Sequence, residues 1–504
     1  MSPAEATEAR TYGNLVAGEW RDAHGEQTFD SVNPARRAEV VGHFARGGAR
    51  DIELAVQAAL AAQPEWARTP VPARAEILAR AGRILEERKE ELAQLMTREM
   101  GKVLTEARGD VQEGIDMAKY MAGQGRNPIG EVVPSELRQK RAFAERVPIG
   151  VVGCITPWNF PMAIPCWKLM PALLAGNAVV FKPAEDTPLV AIKLAEVLIE
   201  AGLPKGVLGL VTGFGEEAGA ALVEHPEVRA ISFTGSVTVG HQIAATCGRL
   251  GKRVSLELGG KNAMLVSADA DLELALEGAV WGAFGTTGQR CTATSRLIVQ
   301  EKVLKSFTDR LVSRVEKLRL GDGLDPKTDV GPVINEAQLR RIHGYTEVGQ
   351  QESARLLTGG KVATDGALSE GNFYQPTIFA DVTSEMRIAQ EEIFGPTAVI
   401  IPAKDLVEAI QIANGTHYGL SVAIYTKDID QALQAVDRLE AGIVYVNAPT
   451  IGAEIQLPFG GVKWTGNGHR AAGTTALDEF TEWKTVYIDY SGHLQRAQID
   501  TDAG

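Results

Sequence analysis

Cysteine is scarce in this chain: four residues in 504, at positions 154, 166, 247 and 291. Four thiols do not make a disulfide scaffold in a chain this long. They read as free thiols in a reducing, cytoplasmic compartment. No C-x-x-C or H-E-x-x-H spacing occurs, so no zinc or other metal site is expected. Basic residues are outnumbered, with a net charge of −13 and no Lys/Arg-rich block. That excludes nucleic acid and anionic membrane surfaces as expected partners. The opening "MSPAEATEAR" has no basic segment followed by an apolar one, so no signal peptide is expected. Long apolar runs are also missing. The best candidate, Pro148 to Phe181, carries Lys168 as its sole charge but is broken by Pro157, Pro161, Pro165 and Pro171. Each proline removes a backbone donor that a membrane helix needs. The segment reads instead as a buried strand, a loop, a helix and a second strand. There is no internal repeat and no low-complexity tract.

What is present is ordinary for a globular enzyme-sized chain: 45% hydrophobic, 23% charged, and 53 glycines. The length implies two or three domains. Residues 50–120 read as helices, because "DIELAVQAALAAQPEWA" and "RAEILARAGRILEERKEELAQLMTREMG" space apolar residues by three and four. The second string is expected to be one helix stopping at Gly101. From Arg146 the period shortens. "VPIGVVGCI", "AVVFKP", "GVLGLVTG", "VRAISFTG" and "RVSLELGG" read as strands, with helices in "PLVAIKLAEVLIEAG" and "SVTVGHQIAATCGRL". Arg146 to Gly260 is therefore expected to be a parallel sheet covered by helices. The alternation restarts after Gly260, with strands in "KNAMLVS", "SRLIVQ", "TAVIIPA", "VAIYT" and "GIVYVN", implying a second α/β domain. The strand-like "EWKTVYIDY" near the C-terminus has no obvious local partner and is expected to pair elsewhere, with another subunit among the options.

Several residues can carry chemistry, and each also has a plainer reading. Cys291 in "FGTTGQRCTATSR" sits among small residues beside the cationic Arg290. It is either a nucleophile, which requires a lowered pKa and access, or a small buried hydrophobe. Glu257 in "LELGGK" closes a strand, where it is either a general base or a surface ion-pair partner. Asn159 in "ITPWNFP" lies in a loop stiffened by two prolines, and is either an oxyanion donor or an Asx-turn residue. Lys182 and Glu185 in "VVFKPAEDTP" follow a strand. They suit a ribose, with the carboxylate disfavouring a 2′-phosphate, or else form a solvated ion pair. Gly235 and Gly240 in "SFTGSVTVG" flank a helix start that suits pyrophosphate, or an ordinary Gly-Ser turn. "GFGEEAG" misses the G-x-G-x-x-G spacing by one residue and is set aside.

Taken in order, "TPWNFP", "FKPAEDTP", "FTGS", "LELGGK", "GQRC", "EEIFGP" and "PFGGVK" resemble the aldehyde dehydrogenase superfamily over roughly residues 15–490. The resemblance implies an NAD-dependent oxidoreductase with Cys291 as nucleophile, Glu257 as general base and Asn159 as oxyanion donor. It assigns cofactor contacts to Ile155, Pro157, Trp158, Lys182, Glu185, Gly235, Ser236, Gly240, Leu258, Gly259, Glu392 and Phe394. It implies a Rossmann-like NAD-binding domain (residues 1–127 and 146–259), a catalytic α/β domain (260–470) and a small β oligomerisation element (128–145 and 480–495). The implied assembly is a homodimer or homotetramer. The stretch "VNAPTIGAEIQLPFGGVK" is similar to the branch that includes α-aminoadipic semialdehyde dehydrogenase, which implies Glu113 and Arg290 as contacts for a substrate amino group and carboxylate. "GQRCTATSR" also resembles branches acting on α-ketoglutaric semialdehyde. A CoA-acylating relative fits less well, because Glu257 suits an activated water. A non-catalytic relative would have no use for Cys291, Glu257 and Asn159 together.

Overall fold

The computed structural model describes residues 10–127 and 129–499. Residues 1–9, most of the stretch scanned for a leader, and Pro128, within the expected oligomerisation element, lie outside the described residues.

Two seven-stranded sheets organise the chain. In the first, the strands run Arg253–Glu257, Ala230–Thr234, Val151–Ile155, Ala178–Lys182, Leu208–Leu210, Asn14–Val16 and Glu19–Arg21 in spatial order. The first five are mutually parallel. Their core strands are apolar and buried end to end, as a sheet covered on both faces requires. The last two come from the N-terminus and pair antiparallel, extending the sheet beyond the expected Arg146–Gly260 span. From Val151–Ile155 the chain adds strands first on one side and then, with Ala230–Thr234, on the other. The crevice beyond the C-terminal ends of those two strands is where open α/β sheets place ligands.

The second sheet runs Arg355–Thr358, Thr377–Ala380, Thr397–Ala403, Thr294–Gln300, Asn262–Val266, Ser421–Tyr425 and Ile443–Val446, parallel except for its first strand. The five strand candidates after Gly260 are all among them. The helices Glu336–Gln351 and Leu406–Asn414 were not foreseen. In Glu336–Gln351 the buried face is Leu339, Ile342, Thr346 and Gly349, too weakly apolar at its second half to show a helical period.

One expectation is corrected and an open one is resolved. The 28-residue helix string breaks at Arg88 into Val71–Glu87 and Lys89–Met100. Arg88 takes φ −100°, ψ 10°, a single bridge-region residue that leaves the apolar spacing on either side intact and so leaves no trace in it. Gly101, in contrast, ends the second helix as expected, at φ 94°. The C-terminal strand Thr481–Asp489 needs no other subunit to pair. It lies antiparallel along Lys140–Pro148, from Thr481 opposite Pro148 to Asp489 opposite Lys140, with Gly130–Val133 on the far side. Asn177 Nδ2 donates to the Phe480 carbonyl at 2.9 Å and fixes the chain where it enters this arm. Sequence proximity could not reveal the pairing, because the partners lie more than 300 residues apart.

The Pro148–Phe181 segment forms strand, loop, helix (Ala163–Ala175) and strand, with Lys168 buried. Among the described residues no helix is long and apolar enough to cross a membrane.

Candidate active site

Cys291 lies between the helix Leu272–Phe284 and the strand Thr294–Gln300, at the end of a tight turn. Thr286 and Thr287 in that turn are left-handed, at φ 50° and 59°. β-branched residues rarely adopt this conformation, so the surroundings must impose it. Glu106 accepts the Thr286 N–H on both carboxylate oxygens, at 2.8 and 2.9 Å. Gln289 is tied at both ends of its amide, accepting from Ile334 N at 3.0 Å and donating to Pro332 O at 3.3 Å. Asn262 donates to the carbonyls of Cys291 and Ala293, at 2.7 and 2.9 Å. Gly260 lets the two segments close, since a Cβ there would stand 2.5 Å from the Cys291 oxygen. The thiol is therefore carried on a loop with little freedom.

The other two members of the expected catalytic set reach the same place. Asn159 is buried in the loop after Val151–Ile155 and donates Nδ2 to the Gln289 carbonyl at 3.0 Å, two residues before Cys291. Its second amide N–H remains for another acceptor. Glu257 ends its strand and is also buried, which removes the surface ion-pair reading. Both of its oxygens are buried without a hydrogen-bond partner. Burial holds its carboxyl well above the ordinary range, opposed by the nearby Lys168 charge. A raised, unpartnered carboxyl at the rim of a pocket is suited to exchanging a proton with a small molecule there.

The thiol itself departs from expectation. Cys291 was expected to have a lowered pKa beside Arg290; burial instead pushes it up to about 12, with the Glu392 and Glu257 carboxylates next in size. Arg290 has the smallest effect, because its charge is already compensated: Nη2 pairs with Glu106 at 3.2 Å, and Nε donates to Thr286 Oγ1 at 2.9 Å. The resting group is the neutral thiol, and its proton must leave for it to act as a nucleophile. Cys154, Cys166 and Cys247 are buried free thiols away from this loop.

Two cavities meet at Cys291. One, of about 700 Å³, is lined by Pro157, Trp158, Asn159, Ser236, Glu392 and Phe394 among others. Ser236 caps the helix Val237–Leu250 by accepting from Val239 N, and the first turn of that helix offers its unpaired N–H groups to the cavity. Gly240 keeps this turn close to Leu258, where a Cβ would stand 2.4 Å from Cδ2. Gly235 N donates to the Glu257 carbonyl at 3.1 Å, so the same turn is fastened to the strand end that carries Glu257. Ile155 lies opposite Lys182 in the sheet, and Lys182 Nζ meets Glu185 Oε2 at 2.8 Å. Lys182 is 3% exposed and Glu185 36%, so the pair is not fully solvated and its carboxylate faces out. Across the cavity, Glu392 accepts from Gly260 N at 2.9 Å and lies so close over Gly259 that a Cβ there would be 2.2 Å from Oε2. Phe394, at φ 60°, meets Trp158 edge-on with ring centroids 5.4 Å apart. A helix start at Ser236, the Glu392 carboxylate and an aromatic wall of Trp158 and Phe394 fit a dinucleotide, while the Lys182–Glu185 pair lies outside this cavity's lining.

The other cavity, of about 770 Å³, is lined by Glu113, Phe160, Trp167, Lys168, Glu257, Arg290 and Phe459 among others. Cys291, Ile164, Thr234 and Leu258 border both cavities. Trp167 and Phe459 pack edge to face at 4.7 Å. The Arg290 guanidinium lies 5.2 Å from the Phe160 ring centroid. Burial, then the Asp110 charge, pushes the Glu113 carboxyl up to about 8, so it is uncharged at neutral pH.

Sequence reasoning missed the residues that hold this site rather than react in it. Gln338 Nε2 donates to the carbonyls of Ile393 and Phe394, at 3.1 and 2.8 Å, and Arg341 Nη2 to that of Glu392 at 2.7 Å. Glu106, Asn262 and Gln289 secure the nucleophile loop. Only Asn262, adjoining "LELGGK", and Gln289, within "GQRC", had a local signal.

The family model for the aldehyde dehydrogenase family matches residues 20–486. An α-ketoglutaric semialdehyde dehydrogenase of Bacillus subtilis (strain 168) is 44% identical over 482 residues, covering 96% of this chain and 99% of the relative. A 2,5-dioxopentanoate dehydrogenase of Saccharolobus solfataricus is also 44% identical, covering 94% of this chain and 98% of its own. Among solved structures, that of betaine aldehyde dehydrogenase from Staphylococcus aureus in complex with NAD+ superposes with a TM-score of 0.94 at 35% identity. That match covers 96% of this chain and 95% of the other.

Proposed function

This chain belongs to the aldehyde dehydrogenase family and is an NAD-dependent aldehyde oxidoreductase; on that premise we propose that its substrate is α-ketoglutaric semialdehyde, oxidised to the dicarboxylic keto acid. The carrying observation is that Cys291 stands on the wall shared by a dinucleotide-shaped cleft and a pocket holding Arg290 and Glu113. Arg290 suits the substrate carboxylate. Glu113, neutral below about pH 8, suits a keto oxygen as a hydrogen-bond donor better than it suits an ammonium. This replaces the α-aminoadipic semialdehyde that the loop wording favoured, and the relatives named for α-ketoglutaric semialdehyde and 2,5-dioxopentanoate support the change.

In this reading the chain performs a two-stage acyl transfer. The Cys291 thiol passes its proton to water and Sγ bonds to the aldehyde carbon. The oxygen gains charge that the free Asn159 N–H and the Cys291 N–H stabilise; one such donor contributes about 10²–10³ in rate. NAD, when bound, supplies the hydride acceptor, held by the Val237–Leu250 helix start, Lys182, Glu185 and Glu392. The acyl group stays on Sγ as a thioester. Glu257, as the carboxylate, then takes a proton from water as the water attacks the thioester, and returns it to the departing Sγ, releasing the acid and restoring the thiol.

We read residues 1–127 with 146–259 as the cofactor domain, 260–470 as the catalytic domain, and 128–145 with 480–495 as the arm of a homodimer or homotetramer. The exposure of Val132, Trp483 and Tyr487 on that arm, at 90%, 53% and 67%, supports an apolar contact there. Four free thiols support a reducing, cytoplasmic setting.

The test is kcat/KM over α-ketoglutaric semialdehyde, α-aminoadipic semialdehyde, betaine aldehyde and an uncharged aldehyde. The first should lead. A lead for betaine aldehyde, whose cation the Trp167–Phe459 pair could face, would discard the Arg290 reading.

A further inference from the structure

Glu106 stands behind the substrate pocket on the helix Leu104–Gln124 and joins two things that need not be joined. Its carboxylate holds the Thr286 N–H of the left-handed turn that leads to Cys291, and it is also the counter-ion of Arg290. Arg290 closes the ring by donating Nε to Thr286 Oγ1 at 2.9 Å. The pair is shielded, with side chains 12% and 14% exposed, so bulk water screens it poorly. These bonds use only one edge of the guanidinium, leaving its other N–H groups for the pocket. A second buried cation, Lys102, lies 3.8 Å from the opposite partner of Arg290, the Phe160 ring centroid, but is itself matched by Asp110 at 2.8 Å. Lys168 also lines the pocket, but it is on a different helix and donates to Ser232 Oγ at 2.8 Å, so Glu106 reduces the attraction of Arg290 and leaves that of Lys168 untouched.

We propose that Glu106 is a specificity-determining positioning residue: it sets how strongly Arg290 attracts a substrate carboxylate and couples that charge to the turn presenting Cys291. The proposal rests on the reading of Arg290 as the carboxylate contact. It explains why a buried acid sits beside a cation whose work is to bind an anion. A full, uncompensated guanidinium would hold the carboxylate product as firmly as the substrate.

The experiment measures kcat and KM for α-ketoglutaric semialdehyde and for pentanal, an uncharged aldehyde of equal chain length, in the parent, Glu106→Gln, Arg290→Met and the double variant. Gln retains an acceptor for the Thr286 N–H and removes the charge. The kcat/KM ratio of charged to uncharged aldehyde should rise about 3- to 10-fold in Glu106→Gln, through a lower KM for the charged one, as expected for one poorly screened charge contact. The rise should vanish in the Arg290→Met background. Glu106→Asp, which keeps the charge, should hold the ratio within about twofold of the parent while lowering kcat for both aldehydes. An unchanged ratio in Glu106→Gln, when Arg290→Met alone lowers it, overturns the role of Glu106 and leaves that of Arg290. A ratio indifferent to Arg290→Met overturns the carboxylate contact and the proposal with it.

Discussion

The two cavities that meet at Cys291 are built in opposite ways. The cleft read as the cofactor's is made largely of strand ends and the turns that follow them: Pro157 to Asn159, Thr234 to Ser236, Leu258 to Gly259. Its turns are fixed by backbone bonds such as Gly235 N–H to the Glu257 carbonyl, and Gly240 and Gly259 let one segment approach another. The substrate pocket is made of side chains from elements far apart in the chain. Glu113 comes from one helix, Trp167 from another, Arg290 from the nucleophile turn and Phe459 from the C-terminal segment. Backbone-built sites demand particular residues in short runs, because a turn's geometry is local. Side-chain-built sites demand only that some suitable group arrive from somewhere. The first therefore defines the reaction and the second its substrate.

Substitutions should separate the two. The largest effect is expected on the shared wall: Cys291→Ala should lower turnover by about 10⁴-fold or more, while NAD binding, followed by tryptophan fluorescence, changes less than about twofold. Undiminished turnover would remove the covalent mechanism. Asn159→Ala should lower kcat by about 10²–10³ with NAD affinity preserved; a loss confined to KM would make it a structural residue only. Glu257→Gln should leave the initial burst of NADH and slow the steady state by about 10², and a steady rate equal to the parent's would exclude it as the base. On the cofactor side alone, Gly259→Ala puts a Cβ where Glu392 Oε2 lies 2.2 Å away. It should raise KM for NAD about tenfold and the aldehyde KM less than twofold; equal effects on both would erase the division between cavities. On the substrate side alone, Glu113 is neutral below its pKa of about 8 and a carboxylate above it, where it repels the substrate anion. KM for α-ketoglutaric semialdehyde should therefore rise about threefold as pH passes upward through that value, and Glu113→Gln should flatten the rise. A rise that persists in Glu113→Gln belongs to another group.

The same division governs what could be read from residues in order. "TPWNFP", "FTGS" and "LELGGK" announced Asn159, Ser236 and Glu257, and the structure brings Asn159 and Ser236 to one of the cavities that share Cys291 and Glu257 to the other. The central strands of both sheets were legible because buried parallel strands are short apolar runs bounded by Gly or Pro, whereas Asn14–Val16, Glu19–Arg21, Arg355–Thr358 and Thr377–Ala380 were not. The break at Arg88 was not, since one residue's dihedrals changed while the apolar spacing did not. The place of Thr481–Asp489 was not, since its partner strand is distant in the chain.

Sequence alone determined the reaction class of this protein, because a nucleophile, a base, an oxyanion donor and a phosphate-binding turn each need specific residue types within a few positions. Tertiary structure decided the state of those groups. It left Cys291 partly buried with its thiol pKa raised, and it left both Glu257 oxygens without partners. It also bound Arg290 to a glutamate 184 residues away. Charge, burial and distance are properties of neighbours in space, and along the chain those neighbours are strangers.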